Sequence, residues 1–270
     1  MELGAKIHQQ CAARGIETSG GRVSGVVTEK GTIRTDAVLC AGGAWTSMFC
    51  RPHGIDLPQA GVFATAWRTE PVQGITDGCI GTPSFAFRRR EDGGFTVGLS
   101  GRGRVELNLN SMRHALKFFR LFLIRRKALT LRLGRSYAYS PDANLTWRPD
   151  EISPFERTRV FDPQPDPKLV EEGMLQLRRQ FPELRHVKAA EIWGGFIDSS
   201  PDTLPVISPV EKLPGFFIAA CFSGHGFGTG PAAGHLAADL VTGTSTIVDP
   251  HPFRYSRMTD GTKLDPNSWG

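Results

Sequence analysis

The fold is decided by one stretch near the carboxyl end, FFIAAC-FSGHGFGTG-PAAGHLAADLVTG, which covers residues 216–243. Phe216–Cys221 is a continuous apolar run of strand length, as expected of a strand buried on both faces. Four glycines alternate with other residues through Ser223–Gly230. Proline is favoured as the first residue of a helix, and Pro231 stands at that position. Ala232–Val241 then predicts a helix closed by Gly243. The predicted order is strand, glycine loop, helix.

A glycine loop that enters a helix suits a flat or charged ligand. The helix start exposes unpaired N–H groups, and glycines let the backbone approach a ligand without Cβ atoms in the way. The spacing is not a dinucleotide fingerprint, because a Gly-x-Gly-x-x-Gly match from Gly228 fails at Ala233. From these residues alone two interpretations stay open: ligand contact, or a turn that lets the helix pack closely on a sheet.

The amino-terminal part predicts short strands and tight turns. Lys6–Cys11 is an extended candidate, and Arg22–Thr28 returns through a turn into Thr32–Thr35 as a hairpin. Ala37–Ala41 is an apolar run typical of a strand covered on both faces, and it ends at a Gly-Gly pair. Ala44–Cys50 then predicts a short helix.

The middle of the chain predicts a second sheet. Val62–Arg68 is rich in β-branched and aromatic residues. Phe85–Arg89 and Phe95–Leu99 flank a glycine-containing turn, which indicates a hairpin. Lys168–Phe181 has the apolar spacing of a helix and ends before a proline.

Ser111–Leu129 predicts a helix whose serine can cap it, with Leu116, Phe119 and Leu123 on one face. Its polar positions are nearly all Arg or Lys. A helix that lies on a membrane surface has this composition. We expect the commoner arrangement, an apolar face packed on the core and a solvated basic face.

Composition excludes several classes of protein. Hydrophobic residues make up 40% and charged residues 22% of 270 residues, which indicates a globular chain. The net charge is +5, but no RNA-binding or zinc spacing accompanies the basic residues, so we predict neither nucleic-acid binding nor a metal site. The five cysteines lack a Cys-x-x-Cys pair, which favours reduced thiols and a cytoplasmic location. No apolar run is long enough for a signal peptide or a membrane span.

Three segments, in the same order, resemble the D-amino-acid oxidase, glycine oxidase and sarcosine oxidase family. They are residues 36–45 (DAVLCAGGAW), residues 191–207 (EIWGGFIDSSPDTLPVI) and residues 217–231 (FIAACFSGHGFGTGP). The resemblance implies an α+β fold with two domains, one an α/β flavin domain and the other a mixed-sheet substrate domain. By the same resemblance residues 1–56 and 191–246 form a partial FAD-binding domain, 57–190 the substrate domain and 247–270 a tail.

The resemblance also implies the cofactor and its contacts. In relatives the segment equivalent to Phe222–Gly228 wraps the flavin ring, and helix-end N–H groups stabilise the charge of the reduced ring. The implied FAD contacts are Ala13, Ala41, Gly42, Trp45, Gly195, Phe222, Ser223, Gly224, His225, Gly226, Phe227 and Gly228. Some relatives bind flavin covalently through a cysteine near the position that Trp193 occupies here. A tryptophan cannot form that bond, so non-covalent FAD is expected.

Two departures from the family matter. Relatives open with a βαβ unit that carries Gly-x-Gly-x-x-Gly, and no such motif precedes Ala13. We therefore expect an amino-terminally truncated version of the fold, with a second chain as one source of the missing unit. The arginine that holds a substrate carboxylate in relatives is replaced by Ile197. Arg88 is a substitute candidate; the alternative is that it is a solvated arginine at a hairpin.

The implied activity is oxidation of a C–N bond in an amine or amino acid, by hydride transfer from the α carbon to flavin N5. Arg88 and His225 are the candidate catalytic residues; for His225 a merely positional role in the loop stays open. The alternative function is an inactive fragment, or a subunit that does not hold FAD without a partner.

Overall fold

The computed structural model describes residues 4–73, 75–107, 112–133, 141 and 145–267. Within them the chain forms three sheets with helices between and after the strands. The strands are β1 Ala13–Ser19, β2 Arg22–Thr28, β3 Gly31–Arg34, β4 Val38–Cys40, β5 Ala60–Thr69, β6 Cys79–Gly81, β7 Phe85–Arg89, β8 Phe95–Leu99, β9 Gly103–Leu107, β10 Leu129–Leu133, β11 Ala189–Ser199, β12 Val206–Pro209 and β13 Phe216–Ala220.

The α-helices vary in length from one turn to more than four. They are α1 Thr46–Cys50, α2 Ala115–Arg125, α3 Pro154–Arg157, α4 Pro167–Gln180 and α5 Gly226–Thr242. Among these described helices, none combines the length and the apolar content that crossing a bilayer requires.

Mixed sheets and helices confirm the α+β class. β1, β2 and β3 form an antiparallel meander. The sheet that carries the glycine loop has the order β12-β13-β4, with β13 and β4 parallel. The largest sheet has the order β10-β9-β5-β8-β7-β6, and β11 pairs along the whole of β5. The domain boundaries stay a prediction, although β11 continues in this sheet past residue 191.

The core of the largest sheet is aromatic. Trp67, Phe85 and Phe95 are fully buried on one face, where α4 covers them. A side chain at Gly173 would overlap the Trp67 indole, so this glycine is what lets α4 approach the sheet closely. Burial of each such aromatic side chain contributes about 2–3 kcal/mol. The other face of this sheet is left partly open, and the candidate site lies there.

The predicted hairpins are confirmed, but two strand predictions need correction. Lys6–Cys11 is not a strand; it is exposed, and the first strand begins at Ala13. The strand predicted over Ala37–Ala41 is only β4, and Leu39 within it is 40% exposed. Burial on both faces was wrong because Val38, Leu39 and Cys40 line a cavity. In the described part of the sheet β4 is also an edge strand, with β13 as its one neighbour there.

The helix expected over Ser111–Leu129 is shorter. Ser111 lies outside the described residues, α2 ends at Arg125, and Leu129 begins a strand. The expected core-facing apolar stripe is only partly found: Ala115 and Phe122 line a cavity beside the strands, but Leu116 is 93% exposed. Periodicity predicts a helix with an apolar face, but it does not say what that face meets.

The last helix begins earlier than predicted, at Gly226, so Pro231 lies inside it. The glycine segment turns helical at once, with the Thr229 N–H donating to the His225 carbonyl at 3.2 Å. Pro231 is the sixth residue of the helix and has no N–H, so the Phe227 carbonyl lacks the bond it would otherwise accept from position 231. The predicted end is confirmed: Gly243 caps the helix in the left-handed conformation, with φ of 70°.

Candidate functional site

The amino end of α5 is the centre of the site. Because the helix starts at Gly226, the N–H groups of Gly226, Phe227 and Gly228 have no carbonyl partner within the helix. His225 occupies the N-cap position, and no described side chain caps the helix. The glycine segment therefore presents backbone donors and the positive end of the helix dipole, a combination that stabilises negative charge.

The loop before the helix is held in an uncommon conformation. Cys221 and Ser223 have φ of 64° and 53°, in the left-handed region that residues other than glycine seldom adopt. The Cys221 N–H donates to the Asp198 carboxylate at 2.7 Å, and the Ser223 N–H donates to the Asp198 carbonyl at 2.9 Å. These two bonds from β11 offset the cost of the strained backbone, so Asp198 sets the shape of the loop.

Asp198 is largely buried, and burial raises the pKa of its carboxyl against the opposing effect of the Cys221 N–H. Gln59 contributes a second bond, donating to the same carboxylate at 3.2 Å and to the Gly43 carbonyl at 2.8 Å. The Asp198 carboxylate thus joins the glycine loop to the turn after β4. These contacts use the carboxylate as a structural hydrogen-bond acceptor.

A cavity of about 420 Å³ opens beside the loop. Ser223, Gly224 and His225 form one wall, and Ile197 and Ala64 of the open sheet face form another. The structure therefore places His225 and the glycine loop beside Ile197, the residue that stands at the position of the family's arginine. This cavity has the position and the size of a small-molecule site.

Two arginines line the same cavity, Arg102 before β9 and Arg125 at the end of α2. Arg102 donates to the Glu172 carboxylate and, at 3.1 Å, to the Lys127 carbonyl. The Arg125 guanidinium lies next to Gly101. Sequence reasoning missed both residues, because neither belongs to a motif and a helix separates them in the chain.

Arg88 is not among the residues that line this cavity. It is exposed on β7 and stands opposite Thr96, which in turn pairs with Arg68. Arg68 lies four positions along β5 from Ala64, a distance of about 13 Å. Arg88 lies two strands across the sheet from Arg68, about 10 Å away. The structure does not bring Arg88 and His225 together.

A second cavity, of about 320 Å³, gathers four other predicted contacts: Ala13, Ala41, Gly42 and Trp45. Ala41 and Gly42 follow β4, just as the glycine loop follows β13. The two strands are parallel neighbours, so both turns lie at the carboxyl edge of one sheet. Ligands of open parallel sheets bind at this edge.

Backbone access tests whether FAD suits these residues. A Cβ atom added at Gly195, Gly228 or Gly230 would meet nothing within 4 Å, so these positions leave the backbone bare on the site side. Together with the donors of α5, they fit the flavin end of FAD. The second cavity fits the adenosine end. Between them, the described residues contain no Gly-x-Gly-x-x-Gly turn for the pyrophosphate.

Comparisons with known proteins agree on one family. The family model described as DAO, FAD dependent oxidoreductase, matches residues 1–240. Glycine oxidase of Pseudomonas aeruginosa is 26% identical over 250 residues, which are 92% of this chain and 53% of that protein. Sarcosine oxidase subunit beta of an Arthrobacter species is 22% identical over 266 residues, 98% of this chain and 52% of that subunit.

Among solved structures, the L-amino acid deaminase of Proteus myxofaciens in complex with anthranilate is similar over 96% of this chain and 57% of that one. The TM-score is 0.88 at 33% sequence identity. The chain thus spans about half the length of the curated relatives it matches.

Proposed function

Because this chain belongs to the family of FAD-dependent oxidoreductases, we propose that it oxidises a C–N bond of an amine or amino acid, with FAD held non-covalently. The chemistry that FAD supplies when bound is two-electron acceptance, here of a hydride taken at flavin N5 from the α carbon, which leaves an imine that hydrolyses. The proposal rests on one observation: the cavity of about 420 Å³ lies at the uncapped start of α5.

This chain's own residues would hold the cofactor and orient the substrate. The N–H groups of Gly226–Gly228 would stabilise negative charge on the flavin end, and Gly195 would let the ring lie close to β11. Ala13, Ala41, Gly42 and Trp45 would contact the adenosine end. His225 would hydrogen-bond the substrate or the ring from the cavity wall. Holding the donor carbon in place supplies most of the catalysis, so a strong general base is not required.

The substrate's carboxylate, where there is one, would be held by an arginine of the cavity. Arg88 stays a candidate because it shares a strand face with Ala86, which aligns roughly with an active-site tyrosine of glycine oxidases. Arg102 and Arg125 are better placed because they line the cavity with His225. Guanidinium groups bind carboxylates through paired hydrogen bonds. Arg102 pairs with Glu172. If a substrate carboxylate took the place of Glu172, the charge of Arg102 would still be neutralised.

The cofactor experiment is a titration of the purified chain with FAD, followed by flavin absorbance near 450 nm and by retention after gel filtration. We expect retention in the wild type and loss of it in Gly228→Leu, whose side chain would fill the cofactor side of α5. Gly234→Leu is the matched control, because Gly234 lies on the same helix with equally open space around it. A wild-type chain that stays colourless would contradict FAD binding by the isolated chain.

The substrate experiment uses anthranilate, the ligand in the Proteus myxofaciens structure. Anthranilate should change the flavin spectrum of the FAD-loaded chain, and Arg102→Met or Arg125→Met should weaken its binding at least about tenfold, as loss of a charged hydrogen bond implies. Arg88→Met should leave binding unchanged. The reverse pattern would assign the carboxylate to Arg88.

The alternative is a chain that holds FAD only beside a partner. It is favoured by the edge position of β4 in the described sheet and by the similarity to a protein named as a subunit. FAD retention that appears only after addition of a separately expressed βαβ unit would support it. Five free cysteines favour a cytoplasmic location within either version of the proposal.

A further inference from the structure

Two thiols lie together at the wall of the second cavity. Cys40 is the last residue of β4, is partly buried, and lines the cavity of about 320 Å³. Cys50 is the last residue of α1 and is fully buried. The turn between β4 and α1 folds the chain back on itself. Cys50 therefore belongs to the apolar cluster around Phe216, and Cys40 packs against the same cluster.

The turn brings the two sulfur atoms close to each other. A Cβ atom added at Gly42 would lie 3.8 Å from the Cys40 Sγ and 3.3 Å from the Thr46 Oγ1, so both groups approach the same point. Cys50 follows Thr46 by four residues on α1, which places it on the same face of the helix. The Cys40 thiol thus stands against the face of α1 that carries Cys50, and the two thiols are hydrogen-bonded.

The two thiols differ in reactivity. Hydrogen bonding to Cys50 lowers the pKa of the Cys40 thiol, although burial opposes that shift. Hydrogen bonding to Cys40 raises the pKa of the Cys50 thiol well above its ordinary value, and burial adds to the rise. The thiolate is the form that attacks an oxidant. Cys40, at the cavity wall, is therefore the thiol that reacts first, with Cys50 behind it as the resolving thiol.

We propose that Cys40 and Cys50 are a redox pair that hydrogen peroxide converts to a disulfide from the side of the second cavity. The Cys40 sulfur attacks one peroxide oxygen and the O–O bond breaks. The hydroxide that leaves takes up the thiol proton as water, and Cys40 becomes a sulfenic acid. The Cys50 sulfur then attacks the Cys40 sulfur, the S–O bond breaks, and the hydroxide leaves with the Cys50 proton as a second water. Each sulfur gives one electron, and the peroxide accepts both.

The disulfide would tie the end of β4 to the end of α1 and fix the turn that carries Ala41, Gly42 and Trp45. These three residues line the second cavity with Cys40. A molecule that fills this cavity would therefore cover the Cys40 thiol. One consequence rests on the proposed function: the adenosine end of FAD would shield the pair, so oxidation would mark chains without cofactor. The formation of the disulfide does not depend on FAD.

Disulfide mapping in the wild-type chain tests the proposal. The reduced protein is treated with hydrogen peroxide, blocked with N-ethylmaleimide, unfolded and digested with chymotrypsin. This protease cuts after aromatic residues, so cleavage after Trp45 separates the two cysteines. We expect mass spectrometry to find a Cys40–Cys50 cross-link as the main disulfide within the chain. Two of the five thiols should be lost, and dithiothreitol should restore them.

Variants identify the role of each thiol. Cys50→Ser should stop the reaction at the sulfenic acid of Cys40, which dimedone labels, because the resolving thiol is absent. Cys40→Ser should leave Cys50 reduced, since Cys50 is buried and its pKa is raised. The matched control is Cys79→Ser, which removes an exposed thiol outside the pair and should keep the cross-link. Circular dichroism melts verify that each variant is folded, and the mapping in the wild type needs no substitution.

Shielding by FAD has its own readout. With FAD at about ten times its Kd, cross-linking should be about tenfold slower, because roughly one cavity in ten is then free. A chain that retains FAD and still cross-links at the unshielded rate would refute entry of peroxide through the second cavity. A chain that retains no FAD but forms the cross-link would contradict the proposed function and would support the redox pair.

Three results would overturn the redox pair itself. The first is an oxidised wild type without a Cys40–Cys50 cross-link. The second is a cross-link from either cysteine to Cys221, which is buried in the same cluster as Cys50. The third is a folded Cys50→Ser variant that dimedone does not label after peroxide treatment, because it would show that Cys40 is not the thiol that reacts.

Discussion

Two regions break the rule that apolar side chains lie inside and charges outside, and they do so in opposite ways. Asp202 in the turn after β11 pairs with Arg257 of the carboxyl-terminal segment, and these side chains are only 4% and 2% exposed. On α2, Leu116 is 93% exposed. The buried charges satisfy each other, so they serve the fold. The exposed apolar side chain of Leu116 has no such compensation among the described residues.

The compensation in the buried turn is nearly complete. The Asp202 carboxylate accepts from Arg257 Nε at 2.8 Å and from Arg257 Nη2 at 3.1 Å. It also accepts from the Ser200 hydroxyl at 3.0 Å and the Leu204 N–H at 3.2 Å. Arg257 in turn donates to the Leu204 and Arg254 carbonyls at 2.9 Å each. This network fastens the carboxyl-terminal segment to the turn that precedes β12.

The largest expected effect comes from breaking that network. Arg257→Met should lower the free energy of unfolding by about 3–5 kcal/mol, because it leaves a buried carboxylate without its partner. Urea denaturation measures the change. Arg254→Met, which removes a half-exposed pair with Asp260, should cost at most about 1 kcal/mol. Adding Asp202→Leu to Arg257→Met should restore part of the loss; a further loss would contradict the pairing argument.

A smaller effect is expected at the end of β11, where Asp198 supports the glycine loop. Asp198→Ala should cost about 1–3 kcal/mol, since the Cys221 N–H is left buried without an acceptor. Asp198→Asn should be much milder, because one carboxylate oxygen accepts from both Cys221 and Gln59 and an amide oxygen can replace it. Equal losses in both variants would show that the charge, rather than the acceptor, holds the loop.

The docked side of α2 should respond to pH. His114 is buried and lies 3.4 Å from Asp56. Burial lowers its pKa below the ordinary 6.5; Asp56 opposes that shift, and Lys117, Arg113 and Arg51 reinforce it. The unfolded chain therefore binds the proton more readily, so this stability is full above pH 6.5 and is lost as the pH falls below it.

The stability of the wild type should therefore fall between pH 7.5 and pH 5.5. Urea midpoints of wild type and His114→Gln at the two pH values measure it. The variant should lose less stability than the wild type in acid. Parallel curves would place the titrating group elsewhere.

The smallest effect on folding is expected at the exposed stripe itself. Leu116→Glu should change the free energy of unfolding by no more than about 0.5 kcal/mol, because its side chain leaves water in neither state. Leu177→Ala, at a fully buried position of α4, should cost about 2–5 kcal/mol in the same urea assay. A large loss at Leu116 would mean that the stripe is part of the core after all.

Local patterns predicted much of the fold. The glycine turn between β7 and β8 and the order strand, loop, helix at residues 216–242 are set by neighbouring residues, so the sequence contains them. The adenosine-side group of Ala13, Ala41, Gly42 and Trp45 does meet in one cavity. Whether they and the glycine loop contact FAD stays a prediction.

The features that the sequence did not predict depend on contacts between residues that are far apart in the chain. The stripe of α2 has the same spacing as a buried one, and only the tertiary structure shows that it faces out. Arg102 and Arg125 reach one cavity because α2 folds back over the strands, which no local pattern announces. Lys6–Cys11 has strand-like residues but no neighbouring strand to pair with in the described chain, so composition misled there.

The pairing of β4 with β13 has a consequence for the order in which the molecule can be built. Val38 pairs with Phe216, 178 positions further on, and every strand of the large sheet is translated between them. During synthesis β4 therefore meets β13, its neighbour among the described strands, only after most of the chain has left the ribosome, while the meander and the large sheet can already form. The sheet that carries the glycine loop is completed last.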